Sequence, residues 1–212
     1  MLPEEGASPP EVFQGLLEAA APAFGLTFPT RVSAALSRFL SELDLWRRRT
    51  NLTGPIGLEE LTAHTLEAVL GQKLIVHGAR VIDIGAGAGF PGIPLAIARP
   101  DLEVTLLEPR KKRATFLRHA ARSVPVGNAR VVEGRTTDLS GDVFDVATSR
   151  AVGRIAEILG EAPFLNAGGA FLAWTTDSEA LCRRLSPGFS LKKVEPVPGS
   201  QRRAIVSFRK NS

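Results

Sequence analysis

The sequence predicts an α/β fold: a mostly parallel sheet with a C-terminal antiparallel hairpin, preceded by an N-terminal helical cap. Three observations carry this prediction. Residues 81 to 97, Val-Ile-Asp-Ile-Gly-Ala-Gly-Ala-Gly-Phe-Pro-Gly-Ile-Pro-Leu-Ala-Ile, run from a short apolar strand through a glycine-dense turn into an apolar segment of helical spacing. From Ala79 onward, short apolar runs alternate with helical segments, the pattern of βαβ units. The last two apolar runs are joined by Pro196-Val197-Pro198-Gly199 with no helix between them, so they read as a hairpin.

The elements follow in order. Residues 1 to 10 read as a frayed start, and a first helix is expected from Pro10 to Ala23. A second, Pro29 to Arg48, places Val32, Leu36, Phe39, Leu40, Leu43 and Trp46 on one stripe at i, i+3, i+4, i+7 spacing. Thr50 to Gly57 is a break, with Gly54 and Pro55. A third helix, Leu58 to Leu70, turns Leu61, Thr65, Leu66 and Val69 inward. These helices assign residues 1–75 to the cap and residues 76–212 to the α/β domain. Strands are expected at Arg80–Ile84, Glu103–Leu107, Ala129–Val132, Val143–Thr148, Ala170–Trp174, Leu191–Glu195 and Ala204–Arg209. Helices are expected at Pro91–Arg99, Arg110–Arg122, Val152–Leu159 and Asp177–Leu185, with turns at Gly127-Asn128 and Gly168-Gly169.

The stretch from Asp83 to Gly89 reads D-x-G-x-G-x-G, and Gly87, Gly89 and Gly92 also fit G-x-G-x-x-G. A strand, a glycine loop and a helix start are where an α/β fold holds a nucleotide-like cofactor, because glycine lets backbone approach a ligand that a Cβ would strike. Glu108 closes the next apolar run, where an acid is placed to accept hydrogen bonds from ribose hydroxyls. A dinucleotide would set its pyrophosphate on the helix N-terminus. S-adenosylmethionine instead favours an acid at the end of the first strand, here Asp83, which can offset the ammonium of its methionine half directly or through water. Asp83 together with Glu108 favours S-adenosylmethionine over a dinucleotide and over an empty glycine turn.

Composition bounds the rest. The 212 residues, 44% of them hydrophobic, suit one core domain with an appendage. The start lacks the basic and apolar regions of a signal peptide, and no apolar run is long enough for a membrane span. A single cysteine, Cys182, fits a reducing compartment and a cytoplasmic protein, and reads as a small packing residue. His64, His77 and His119 are scattered without ligand companions, so no metal site is expected. A monomer is expected, since no large unexplained apolar surface is readable. Net charge is +4, and the cations cluster at Arg47-Arg48-Arg49, Arg110-Lys111-Lys112-Arg113, Arg183-Arg184, Lys192-Lys193 and Arg202-Arg203. Such clusters suit a phosphate backbone, and Arg47, Arg48, Lys111, Arg113 and Arg202 are the expected contacts to such a polyanionic partner.

These residues resemble a known family. Ile82 to Leu95, and above all Gly-Phe-Pro-Gly-Ile-Pro within it, is similar to the cofactor loop of the bacterial small-subunit ribosomal RNA methyltransferase G family, also called glucose-inhibited division protein B. Asn51-Leu52-Thr53, Lys112-Arg113 with Phe116-Leu117, Gly134-Arg135 and Ser149-Arg150-Ala151 look like its other motifs, and the resemblance spans roughly residues 40 to 210. It implies a Rossmann-like class I methyltransferase sheet and methyl transfer from S-adenosylmethionine to N7 of a guanine in 16S ribosomal RNA, with that RNA or the small ribosomal subunit as partner. It also implies cofactor contacts at Gly85 and Phe90 in the loop that also holds Gly87 and Gly89, at Glu108 for the ribose, at Thr136 and Thr137 beside the adenine, and at Arg150 after the fourth strand. Three departures stand out. His64 is followed by Glu67-Ala68 where the family has Asp-Ser, Arg135-Thr136-Thr137 replaces Arg-Ala-Glu, and Trp174-Thr175-Thr176 replaces Leu-Lys-Gly. A cation from elsewhere, Arg202 or Arg203, is the expected substitute for that lysine.

Guanine N7 has a free lone pair and no proton to lose, so it needs alignment and a dry cleft rather than a general base. Ser149-Arg150-Ala151 after the fourth strand fits this, since it is not the Asn/Asp-Pro-Pro-aromatic signature of exocyclic-amine methyltransferases. Arg150 and His64 are the expected catalytic residues, Arg150 on the cofactor carboxylate, a phosphate or the guanine edge. Trp46 reads as core; Trp174 is a candidate to stack on a flipped-out guanine. Two other readings remain at this point. One is a cofactor-binding, RNA-associated protein with lost or shifted catalysis. The other is a nicotinamide oxidoreductase, for which no Tyr-Lys pair is available, since the chain has no tyrosine.

Overall fold

A computed structural model describes residues 7–124, 126–139, 141–150, 162–184 and 186–211. Helix α1 (Pro10–Ala20) is followed by α2 (Thr30–Arg47) and α3 (Leu58–Leu70). Then come β1 (Arg80–Ile84), α4 (Gly92–Ala98), β2 (Glu103–Glu108), α5 (Lys111–Ser123), β3 (Ala129–Glu133) and β4 (Phe144–Ser149). The chain closes with β5 (Leu165–Thr175), α6 (Ser178–Arg183), β6 (Phe189–Pro196) and β7 (Ala204–Lys210). The strands form one seven-stranded sheet in the order β3-β2-β1-β4-β5-β7-β6. The first five strands pair in parallel; β7 runs antiparallel between β5 and β6.

The helices form because their apolar residues recur on one face, and the sheet because its inner strands are apolar on both faces, while the edge strands β3 and β6 are largely half-buried or exposed. Strand residues alternate between two cores. Val81, Leu106, Val146, Leu172 and Ile205 face the cap, in one cluster with Phe13, Leu17, Leu36, Phe39 and Leu66. Ile82, Ile84, Leu107, Phe171, Val206 and Phe208 face the other way, with Cys182 packed beside them. Every member of the α2 stripe is buried except Trp46, which is half-buried against Phe116 and His119. The inward set of α3 is fully buried as expected.

Two boundaries differ from expectation. Helix α1 stops at Ala20 and passes into a 3₁₀ turn, Ala21–Phe24, because Pro22 brings no N–H and a ring that crowds the preceding turn. Gly168-Gly169 is not a turn between elements but lies inside β5, which begins at Leu165. Opposite it the register breaks: Phe144 pairs with Leu165, and Val146 already pairs with Ala170. Gly168 takes a left-handed φ of 71° there, so the turn chemistry is spent on an irregularity within the strand. The helix expected at Val152–Leu159 lies outside the described residues.

Candidate active site

The cofactor loop leaves β1 at the centre of the sheet, beside the crossing point between β1 and β4. Gly85, Gly87 and Gly89 all adopt left-handed φ, at 72°, 55° and 92°. A Cβ on Gly85 would meet open space, so the backbone conformation, not crowding, requires glycine there. At Gly89 both conditions apply, for a Cβ would lie 2.8 Å from Ile93. The Gly85 and Ala86 N–H groups donate to Leu107 O at 2.9 and 3.1 Å, which fastens the loop to β2.

Asp83 sits beneath this loop, fully buried. Its Oδ2 accepts the Gly92 N–H at 2.9 Å, and its Oδ1 accepts the Thr148 hydroxyl at 3.1 Å. Burial pushes its pKa up to about 7 despite these two donors. β1 residues alternate faces, and Asp83 points under α4, so its carboxylate meets the protein's own backbone and hydroxyl there, and the expected contact with a ligand ammonium, direct or through water, would have to share these oxygens. Glu108, at the end of β2, is also buried; its Oε2 accepts the Gly87 N–H at 2.9 Å and its Oε1 the Arg110 N–H at 2.8 Å. Each oxygen keeps a second lone pair, so the acid both sets the loop and can accept from a hydroxyl.

Phe90 forms the wall after the loop, edge-on to Phe39 at 5.5 Å and to His64 at 6.1 Å between ring centroids. The Arg150 guanidinium lies over the Phe90 ring, 5.6 Å from its centroid. Its Nη2 donates to Glu67 Oε2 at 3.0 Å, and Arg203 Nη1 donates to Glu67 Oε1. Three elements thus meet on one carboxylate: α3, the end of β4 and the start of β7. Burial raises the Glu67 pKa, against the pull of the two guanidiniums. His64, one turn earlier on α3, is held at a pKa of about 3 by burial and by the Arg150 and Arg203 charges. Its imidazole is neutral and a poor proton acceptor. A cleft of about 470 Å³ opens beside this group, lined among others by Glu67, Arg150, Thr175, Arg184 and Arg203.

The structure separates the remaining candidates. Thr136 and Thr137 lie in a 3₁₀ turn after β3, where Asp138 accepts the Arg135 N–H at 2.7 Å. The carboxylate missing at 137 is thus present one residue on, turned onto the loop; the three-residue spacing from Arg135 was its signal. Arg47 is corrected from RNA contact to structural clamp: it binds Asp44 at 2.7 Å and also donates to Ile56 O, with only 15% of its side chain exposed. Arg48 shares Asp44 but is half exposed. Lys111 and Arg113 line a second cleft of about 410 Å³ with Arg49, Arg110 and Lys112, and Arg113 reaches Asn51 O at 3.3 Å. Arg202 is exposed near His64, Arg150 and Arg203. Trp174 is corrected as well. It is 4% exposed, its Nε1 donates to Glu67 O at 2.8 Å, and a Cβ on Gly71 would strike its ring, so it is core rather than a stacking platform. Sequence reasoning missed the centrality of Glu67, which it met only as a departure from a pattern.

Among the described residues no cluster of His, Cys, Asp and Glu is placed to hold a metal, and no helix is long and apolar enough to cross a membrane. A family model for rRNA small subunit methyltransferase G matches residues 32–202. The ribosomal RNA small subunit methyltransferase G of Xanthomonas axonopodis pv. citri is 39% identical over 186 residues, covering 84% of this chain and 87% of that one. Its counterpart from Coxiella burnetii is 32% identical over 190 residues, covering 88% and 93%. Solved structures share the fold. The ribosomal protein L11 methylase of Lactobacillus delbrueckii aligns with TM-score 0.59 and 15% identity, covering 71% of this chain and 80% of that one. Fibrillarin of Methanococcus jannaschii aligns with TM-score 0.55 and 15% identity, covering 72% and 75%. The glycine loop, with Glu108 beside it and open space at Gly85, fits S-adenosylmethionine, the methyl donor of this enzyme class. By its sequence over most of its length, and by the sheet and loop that sequence builds, the chain belongs to the rRNA small subunit methyltransferase G family.

Proposed function

We propose that this enzyme methylates N7 of a guanine in 16S ribosomal RNA, as a cytoplasmic protein. The observation that carries the reading is the placement of Arg150, stacked on Phe90 beside the cofactor loop and tied to Glu67 at the mouth of a basic cleft. In this reading Gly85, Gly87, Gly89 and Phe90 line the cofactor, Glu108 accepts from its ribose, and Thr136 and Thr137 flank its adenine. Asp83 supports them from below.

S-adenosylmethionine held by this loop would supply an electrophilic methyl group on a sulfonium sulfur, for which the free lone pair of guanine N7 is a suitable acceptor. No proton moves, so no side chain has to accept one. That agrees with the cleft: His64 is held neutral and weakly basic, and both Glu67 oxygens are engaged by arginines. What remains for the protein is alignment and exclusion of water, tasks for the rigid loop and the Phe90 wall.

The test is transfer of a labelled methyl group to deproteinised small-subunit RNA and, separately, to assembled subunits. Digestion to nucleosides should place the label on 7-methylguanosine, and aniline cleavage should mark one site. Label on another nucleoside would overturn the N7 assignment. Cofactor binding without transfer to either substrate would mean that catalysis has been lost.

A further inference from the structure

Glu67 is the group that the chemistry above does not use. Its side chain is 2% exposed, yet it holds two guanidiniums whose outer parts stay open, with Arg150 24% and Arg203 37% exposed. Among the described residues Glu67 is the carboxylate that touches both cations, so at contact range one negative charge faces two positive ones. Burial and the neighbouring Arg203 charge depress the Arg150 pKa, while Glu67 and, less strongly, Glu60 and Asp83 support it. Arg184, exposed at the C-cap of α6, adds a third cation across the cleft. Of the other acids nearby, Asp177 is occupied as the cap of α6, accepting the Ala180 N–H at 2.8 Å, and Glu60 faces His64 at 3.7 Å with its side chain 52% exposed.

We propose that this cleft is a phosphodiester subsite for the RNA substrate, in which Glu67 is a positioning residue that presets Arg150 and Arg203 and Arg184 completes the anion site. The proposal rests on the RNA-methylation reading. Each guanidinium uses one N–H on Glu67 and retains others in a planar fork suited to phosphate oxygens. Reaction chemistry argues against the alternative use of these arginines on the target base edge. An arginine reading guanine donates to O6 and N7, and a donor on N7 would occupy the lone pair that must receive the methyl group. The cleft volume of about 470 Å³ lies within the range of small-ligand sites.

The experiment is equilibrium binding of purified small-subunit ribosomal RNA across a potassium chloride series, alongside calorimetric titration with S-adenosylmethionine and thermal melts. The proteins are wild type, Arg184→Ala, Arg203→Ala, Arg203→Lys and Glu67→Gln. Each arginine-to-alanine change should weaken RNA binding roughly tenfold at moderate salt and lower the log–log salt slope by about one, leaving cofactor affinity unchanged. Arg203→Lys should restore the slope. Glu67→Gln is the discriminating variant: it makes the protein more positive, so simple charge counting predicts tighter RNA binding, whereas a positioning role predicts weaker binding. Arg184→Ala guards against a folding artefact, since its side chain is exposed at a helix end.

Wild-type slopes in both alanine variants, tighter RNA binding by Glu67→Gln, or an equal loss of cofactor affinity would each overturn the subsite. Competition by millimolar inorganic phosphate as effective as that by RNA would assign the cleft to a free phosphate ligand instead. If these binding differences appear but wild type transfers no methyl group to ribosomal RNA, the reaction assignment fails and the subsite stands.

Discussion

The Asp83 carboxylate and the Gly92 backbone meet at 2.9 Å, with no room between them: a Cβ on Gly92 would lie 2.7 Å from Asp83 Oδ2 and 2.2 Å from Leu106 Cδ2. Gly92 is thus required by packing rather than by φ. Gly92→Ala must push α4 off β1 and β2, at a cost of about 1–3 kcal/mol for an overpacked site. The expected result is a lower melting temperature together with loss of S-adenosylmethionine affinity, read by calorimetry. Unchanged cofactor affinity would show that the loop is not held from below.

Asp83 also sets a pH dependence opposite to that of a salt-bridged acid. Its folded pKa of about 7 lies above its ordinary value of 3.8, so between those values the folded protein binds more protons than the unfolded chain. Stability from this group is therefore full below about pH 4, falls as pH rises towards 7, and is level above, over a range of roughly 4 kcal/mol at most. Asp83→Asn should remove this slope, so the variant gains on wild type from pH 4 to pH 7 in thermal melts. A stability difference independent of pH would mean that Asp83 is ionised throughout.

His64 is brought to the cleft but not given a proton to handle. His64→Gln should retain methyl transfer within about tenfold of wild type, since a general base contributes about 10²–10⁴-fold. Single-turnover transfer measures it, and a loss beyond a hundredfold would restore an acid–base role. The same depressed pKa makes the wild type lose stability as pH falls through 6.5 towards 3, and the variant should not share that part of the loss.

Asp44 is fully buried and holds Arg47, Arg48 and the Ser8 N–H. Burial pushes its pKa up, but these donors outweigh it and the net shift is downward. Asp44→Ala strands the half-buried Arg47 guanidinium and frees the start of the chain, which should cost about 3–5 kcal/mol by chemical denaturation. A cost below about 1 kcal/mol would return Arg47 to the pool of free RNA contacts.

Trp174→Ala should cost about 3–5 kcal/mol of stability, because the indole fills the space between α3 and β5 and its N–H pairs with Glu67 O. RNA affinity measured well below the melting temperature should change far less. A selective loss of RNA binding in a stable variant would revive the stacking role.

Local signals in the sequence carried the loop, the strands and the terminal hairpin. Glycines that need positive φ, an alternating apolar pattern and a helix-free linker each act within a few residues. Asp83 and Glu108 were legible as important but not in their contacts, because whether a carboxylate points into a cleft or under a helix depends on the pleat of one strand and the seating of another element. Glu67 and Asp44 were not legible at all in their roles, and Arg203 was legible as a substitute cation but not as a partner of Glu67. Glu67 and Arg203 are separated by 136 positions and meet only because β7 returns beside β5. Arg47 and Arg48 look alike in a run of cations and share Asp44, and only the second contact of Arg47, with Ile56 O, and its deeper burial divide a clamp from a surface charge.

The cap helices and the sheet share one apolar cluster, running from Phe13 and Leu17 through Phe39 and Leu66 to Val81, Leu106 and Leu172. The helical cap and the sheet therefore cannot be exchanged independently, like cassettes. A chain begun at the first strand would present a bare greasy sheet face to water and associate through it. The outer faces of these helices are free to vary in charge, whereas their inner faces must keep filling the core they share with the sheet.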